Sequence, residues 1–126
     1  MKLEHFALNV PDAPAHAAWY VTHLGMTIAS RCDVAPYTHF LTDGAGHTMI
    51  ELYSKPGTEY ATAHPQCYHL AVVAGDARAE CARLKQAGAA PSSEISRADG
   101  TLLIMMLDPW GVAIQLCQRP KPFVMP

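Results

Sequence analysis

In "LEHFALNVPD", residues 3–12, Phe6, Leu8 and Val10 alternate with His5, Ala7 and Asn9. Period-two alternation of this kind predicts a strand with one aliphatic face. The pattern nearly returns in "CYHLAVVAGD", residues 67–76, where Leu70 and Val72 oppose His69, Ala71 and Val73. Two further segments alternate in the same way. In "MIELY", Ile50 and Leu52 oppose Met49, Glu51 and Tyr53; in "VAIQLC", Ile114 and Leu116 oppose Ala113, Gln115 and Cys117. In each strand the aliphatic side is expected to meet a helix. The other side carries one polar, ligand-type residue among small or polarizable neighbours.

Between these strands lie two alanine-rich segments, "APAHAAWYVTHLG" and "ARAECARLKQAG". Alanine is the strongest helix former, and Asp12 and Asp76 are placed to cap the two N-termini. Gly25 and Gly88 suit left-handed C-terminal caps. The expected buried stripe is Trp19, Tyr20, Val21 and Leu24 on the first helix. On the second it is Ala77, Cys81, Leu84 and Ala87 or Gly88. "MTIASRCDV" and "THFLTDG" read as strands in the first half; "APSSEIS" and "TLLIMML" read as strands in the second.

The halves therefore repeat. His69 follows His5 by 64 residues, and Gln115 follows Glu51 by the same interval. Each half reads βαβββ, giving an α+β protein: paired βαβββ modules forming a curved eight-stranded sheet cup with helices outside. The expected boundaries are 1–54 for the first module, 55–66 for a linker, 67–119 for the second module and 120–126 for an extended, proline-rich tail. All belong to a single domain, 1–126.

The chain has 126 residues, half of them hydrophobic, and a formal net charge of −2. This composition suits a packed core and carries no basic stripe, so no nucleic-acid partner is expected. No apolar run is long enough for a bilayer span and the N-terminus lacks a signal-peptide layout, so no membrane association and a cytoplasmic location are expected. Cys32, Cys67, Cys81 and Cys117 form no CxxC pair and read as reduced thiols in small core or pocket positions.

A single strand histidine is ordinarily structural. Four polar groups at matched repeat positions change the reading. Two imidazoles (His5, His69), one carboxylate (Glu51) and one amide (Gln115) suit a single divalent metal ion such as Zn, Ni, Fe or Mn. Among the other histidines, His16 and His23 fall on the first helix and read as solvated. His39 is a possible addition to the cup, and His47 and His64 read as surface residues near turns. Arg97, Asp99 and Gly100 read as a solvated loop.

On "HFALNVPD", "WYVTHLGM", "MIELY", "HLAVVAGD", "LKQAGA" and "DPWGVAIQL", the sequence resembles the vicinal oxygen chelate superfamily, which includes glyoxalase I, bleomycin-binding proteins and extradiol dioxygenases. The nearest motif match is to bacterial glyoxalase-I-like proteins. The resemblance implies metal ligands at His5, Glu51, His69 and Gln115, a small-molecule substrate and a homodimer; as the one carboxylate in that set Glu51, or else metal-bound hydroxide, is the expected catalytic base. Glyoxalase I has glutamate where this chain has Gln115, and commonly arginine where it has Asn9. Glutathione-dependent glyoxalase I activity is therefore not expected. The expected function is a metal-dependent lyase or isomerase that moves a proton beside two chelated vicinal oxygens. The alternatives are a bleomycin-resistance-type binding protein walled by Met49, Tyr53, Tyr68, Met105, Met106 and Trp110, or an extradiol-type dioxygenase.

Overall fold

The computed structural model describes residues 1–47 and 49–123. The chain divides into two compact units, Met1–Ala61 and Thr62–Pro126. The first contains β1 (Phe6–Asn9), α1 (Ala13–Leu24), β2 (Thr27–Arg31), β3 (His39–Thr42) and β4 (Met49–Tyr53). The second contains β5 (Leu70–Val73), α2 (Ala77–Gln86), β6 (Ala90–Ser96), β7 (Leu102–Leu107) and β8 (Ala113–Gln118). The result is an α+β fold with two four-stranded sheets, ordered β1-β4-β3-β2 and β5-β8-β7-β6.

The repeat extends to the register. β1 lies parallel to β4 with Ala7 opposite Glu51, and β5 lies parallel to β8 with Ala71 opposite Gln115. These positions are 64 residues apart in both strands. The remaining pairs are antiparallel, and each outer hairpin contains a bulge, between Ile28 and Ser30 or between Pro91 and Ser93. Pro91 cannot donate to a ladder, and it stands where such a residue is tolerated, on the edge strand β6.

The helix starts are duplicated too. Asp12 accepts the Ala15 N–H at 3.1 Å, and Asp76 accepts the Ala79 N–H at 3.0 Å. A second acceptor comes from just beyond or at the end of the last strand of the same half. Ser54 Oγ takes the Ala13 N–H and Gln118 Oε1 takes the Ala77 N–H, both at 2.8 Å. Both orphan donors are met by side chains, which also ties each helix to its sheet. Gly25 ends α1 at φ 69°. α2 ends one residue earlier than expected, with Ala87 as the cap; Gly88 follows at φ 102°, and the Ala89 N–H reaches Leu84 O at 3.0 Å.

In the first half the core is Leu8, Val10, Leu41, Ile50 and Leu52 packed beneath α1. The helix stripe differs from the expected one. Ala13, His16, Ala17 and Tyr20 are fully buried, at helical spacing, and Trp19 joins them at 9% exposure, whereas Val21 is exposed and Leu24 half-buried. Trp19 and Tyr20 are buried as expected, and the two alanines beside them let the helix approach the sheet, which shifts the buried face toward Ala13 and His16 and away from Val21 and Leu24. His16, expected in solvent, is thereby buried, with its ring edge-on to Tyr20 at 4.7 Å. His23 is half-buried against Trp19. Phe6 is 45% exposed, because burial on β1 is confined to the Leu8–Val10 end.

In the second half, Leu84, Met106, Val112, Ile114 and Leu116 form the centre of the core. Among the described cysteines only Cys117 is buried; Cys81 is half-buried, and Cys32 and Cys67 are exposed, which corrects the expectation that all four sit in core or pocket positions. Both exposed residues lie on loops, where alternation gives no burial signal. No helix among the described residues is long and apolar enough to cross a membrane.

Candidate functional site

His5 sits one residue before β1, and Glu51 sits at the middle of β4. The register places Glu51 between Ala7 on β1 and Phe40 on β3. His5 Nε2 lies 3.1 Å from Glu51 Oε2, and the imidazole packs edge-on against Phe40 at 5.4 Å. The structure thus brings the two predicted groups of the first half together on the face away from α1.

The other nitrogen of His5, Nδ1, is 2.9 Å from a carboxylate oxygen of Glu4. A carboxylate accepts only, so Nδ1 is the protonated nitrogen in this contact. Nε2 and Glu51 Oε2 are then two lone-pair atoms at 3.1 Å, which calls for a positive centre, either a second proton on the ring or a cation. Two ligands bound to one zinc ion at about 2.1 Å stand about 3.0–3.4 Å apart. The donor pair fits that spacing.

His69 occupies the equivalent place before β5. Its Nδ1 is 2.9 Å from the carbonyl oxygen of Pro65, which fixes the tautomer and presents Nε2 outward. The side chain is exposed. Gln115 is half-buried on β8, and its Oε1 accepts from the Cys117 thiol at 3.4 Å. Among the described residues, no group of three or more His, Cys, Asp or Glu side chains forms a metal cluster.

Glu51 opens onto a groove of about 520 Å³ in the first half, lined by Pro36, Thr38, Tyr53, Ser54 and Lys55. Tyr37 supports one rim in the left-handed region, at φ 58°, a conformation uncommon for an aromatic residue. The opposite rim is fastened by Asn9, which is 7% exposed. Its Oδ1 accepts the Lys55 N–H at 2.8 Å; its Nδ2 donates to Lys55 O at 3.2 Å and Glu59 O at 3.1 Å. Asn9 is therefore a clamp on the segment that carries Lys55. Neither role was evident from alternation, which only placed Asn9 on the polar face. Lys55 has a signal of its own in the repeat, since Arg119 stands 64 residues later.

His39 does not join this face. It lies on β3 with Leu41, opposite Leu52, and is 5% exposed with Nδ1 2.7 Å from Tyr37 O. The same alternation that buries Leu41 carries His39 to the helix side. His47 and His64 are exposed, as expected.

The suggested apolar walls divide. Tyr53 lines the Glu51 groove, and Met49 lines a separate recess with Thr42 and His47. Met105 lies opposite Gln115, but Met106 pairs with Ile114 and belongs to the helix-side core. Tyr68 and Trp110 are half-buried; burial pushes the Tyr68 phenol up, opposed by a backbone hydrogen bond at Ala63. Trp110 belongs to a turn in which Asp108 Oδ1 accepts the N–H groups of Trp110 and Val112, both at 2.9 Å. In the loop between β6 and β7, Asp99 Oδ1 accepts the Thr101 N–H at 2.8 Å, and this bonding holds its carboxyl below the usual range.

On the same side of the second sheet as Gln115, a smaller apolar cavity is bounded by β5, β8 and the tail. Cys117 forms part of its wall, and burial pushes this thiol up. The described tail residues, 119–123, include Arg119, whose guanidinium sits 4.3 Å from the Phe123 ring centre. Residues 124–126 of the predicted extended tail lie outside the described residues.

Three comparisons with known proteins bear on this geometry. Solved structures share the fold. TnmS3, an antibiotic binding protein from Streptomyces sp. CB03234, is 22% identical with a TM-score of 0.72, over 94% of this chain and 98% of its own. A glyoxalase family protein from Bacillus cereus is 16% identical with a TM-score of 0.78, over 94% and 93%. The fosfomycin resistance protein FosX from Listeria monocytogenes is 18% identical with a TM-score of 0.72, over 94% and 93%. No functionally curated sequence matches significantly. The family model for glyoxalase, bleomycin resistance protein and dioxygenase matches residues 2–116. With that match spanning nearly the whole sequence, the chain belongs to the glyoxalase/bleomycin resistance protein/dioxygenase superfamily.

Proposed function

We propose that the chain is a glyoxalase-like, divalent-metal-dependent enzyme of the lyase or isomerase type, with His5, Glu51, His69 and Gln115 as ligands. The observation that carries this reading is the His5–Glu51 contact, two acceptor atoms 3.1 Å apart with the far nitrogen of His5 engaged by Glu4. The equivalent Nδ1 contact at His69 supports it. The bound cation would supply a Lewis acid for two vicinal oxygens of a small substrate. Glu51 would accept a proton from the adjacent carbon, the only acid–base carboxylate in the ligand set, since an amide such as Gln115 takes up no proton at neutral pH. His5 would ligate the cation beside that carboxylate, and Phe40 would hold the His5 ring in place.

A second reading, a small-molecule binding protein without catalysis, is favoured by the apolar cavity of the second half. Both readings include a homodimer and a cytoplasmic location. The test is metal content after reconstitution with Zn or Ni, measured by elemental analysis and thermal shift. One cation per chain is expected, with a stabilised melting transition, and His5→Ala and His69→Ala should each lose it. Glu51→Gln should lower turnover of a chelating substrate by about 10²–10⁴. A reconstituted wild-type chain that holds no cation, or a His5→Ala chain that holds as much, would remove the metal reading. Light scattering at monomer mass would remove the dimer.

A further inference from the structure

The cavity beside β5 and β8 has a volume of about 140 Å³, with walls that include Ala71, Val73, Cys117, Pro122 and Phe123. An apolar cavity of about 150 Å³ accepts a benzene ring. One wall residue, Arg119, carries charge, and its surroundings differ from those of three other arginines. Arg31, Arg78 and Arg83 each reach a carboxylate, of Asp33, Glu94 and Glu80 respectively. Arg119 instead lies over the Phe123 ring, with its charge felt by the Cys117 thiol at the cavity wall. The nearby Asp99 feels the charge of Arg119, but its carboxylate is already bonded to Thr101. A guanidinium has five N–H donors in a planar fork, and among the described residues Arg119 reaches no carboxylate that would engage them.

We propose that this cavity binds a single aromatic ring carrying a carboxylate, with the ring among Val73, Cys117 and Phe123 and the anion on Arg119. Apolar side chains supply the space, and the Phe123 ring supplies the stacking surface. The cation supplies discrimination in favour of an acid over its neutral analogue, because a charge-assisted bidentate pair forms with one and not the other. Val73 is 57% exposed although it lies on a strand. An apolar side chain in that setting gains contact when a ring enters. The inference stands apart from any bound cation and names a ligand class for the second half of the chain.

The experiment uses the whole protein, dialysed against a chelator, with benzoate and benzyl alcohol as probes in ligand-detected NMR and calorimetry. Benzoate is expected to bind about tenfold more tightly than the alcohol, the equivalent of one charge-assisted contact. Arg119→Gln should bring the two to equality, and Arg119→Lys should restore part of the preference. Val73→Trp, a change at an exposed position, should abolish binding of both by filling the cavity. Benzoate should also slow maleimide labelling of Cys117 while leaving the exposed Cys32 unaffected. The proposal is overturned if neither probe binds, if both bind equally to the wild-type chain, or if Val73→Trp retains benzoate. Because the protein is stripped of metal, each outcome is independent of the His5–Glu51 reading.

Discussion

Where the first half has Asn9, the second has Val73; where the first has Glu51, Tyr53 and Lys55, the second has Gln115, Cys117 and Arg119. The backbones that carry these residues share one strand order and one register. The helix-side residues hold their character, as at Leu52 and Leu116, both nearly inaccessible. The two helices are also fastened alike, by Asp12 with Ser54 and by Asp76 with Gln118. Divergence is concentrated on the face away from the helix. One face carries a groove beside Glu51 and Lys55 with a clamped rim, and the other an open apolar cavity lined in part by the tail. A duplicated scaffold can change chemistry on one face while packing on the other holds the fold.

That comparison can be attacked first at the shared face. Leu52→Ala and Leu116→Ala remove equivalent buried side chains, and each is expected to cost about 2–5 kcal/mol in chemical denaturation. Similar losses would support equal packing in the two halves; a loss below about 1 kcal/mol at one position would break the equivalence. Next comes the divergent face. Asn9→Val installs the second half's residue in the first and leaves the backbone groups of Lys55 and Glu59 without their side-chain partner. A loss of about 1–3 kcal/mol is expected, with faster proteolysis near Lys55. An unchanged stability would mean that the clamp is dispensable and the halves are interchangeable there.

Smaller effects sharpen the likeness of the helix starts. Asp12→Ala and Asp76→Ala should each cost about 1 kcal/mol, and by similar amounts, since their cap bonds match. The smallest expected effect concerns the thiols. Cys117, held neutral by burial, should alkylate more slowly at neutral pH than Cys32 or Cys67. Its raised pKa stabilises the fold fully below the ordinary thiol range. That contribution declines as pH rises through the range, because the unfolded thiol ionises first. A Cys117→Ala chain whose alkaline stability profile matched that of the wild type would contradict this.

The sequence made the repeat legible because the period-two pattern and the polar residues recur with one offset. Alternation placed Glu51 and Gln115 opposite the aliphatic face, and the structure puts His5 against Glu51. It placed Trp19 and Tyr20 in the first helix's buried stripe but missed Ala13, His16 and Ala17, because small alanines there set the approach and drew His16 inward. His39 was legible in principle, since it shares the parity of Leu41. The role of Asn9 was hidden for another reason: its partners are main-chain atoms of residues 55 and 59, which carry no identity that a pattern could expose. Burial of Cys117 but not of Cys32 or Cys67 likewise depends on strand against loop position, not on residue type.

The parallel pairing of β1 with β4 has a consequence for how the chain acquires its shape. Phe6 meets Ile50, 44 residues later, and Leu70 meets Ile114 at the same separation. The leading strand of each half therefore has to wait for the trailing one, while the antiparallel neighbours between them can zip locally. As the chain leaves the ribosome, the first sheet can close once Tyr53 emerges, and the second once Gln118 does.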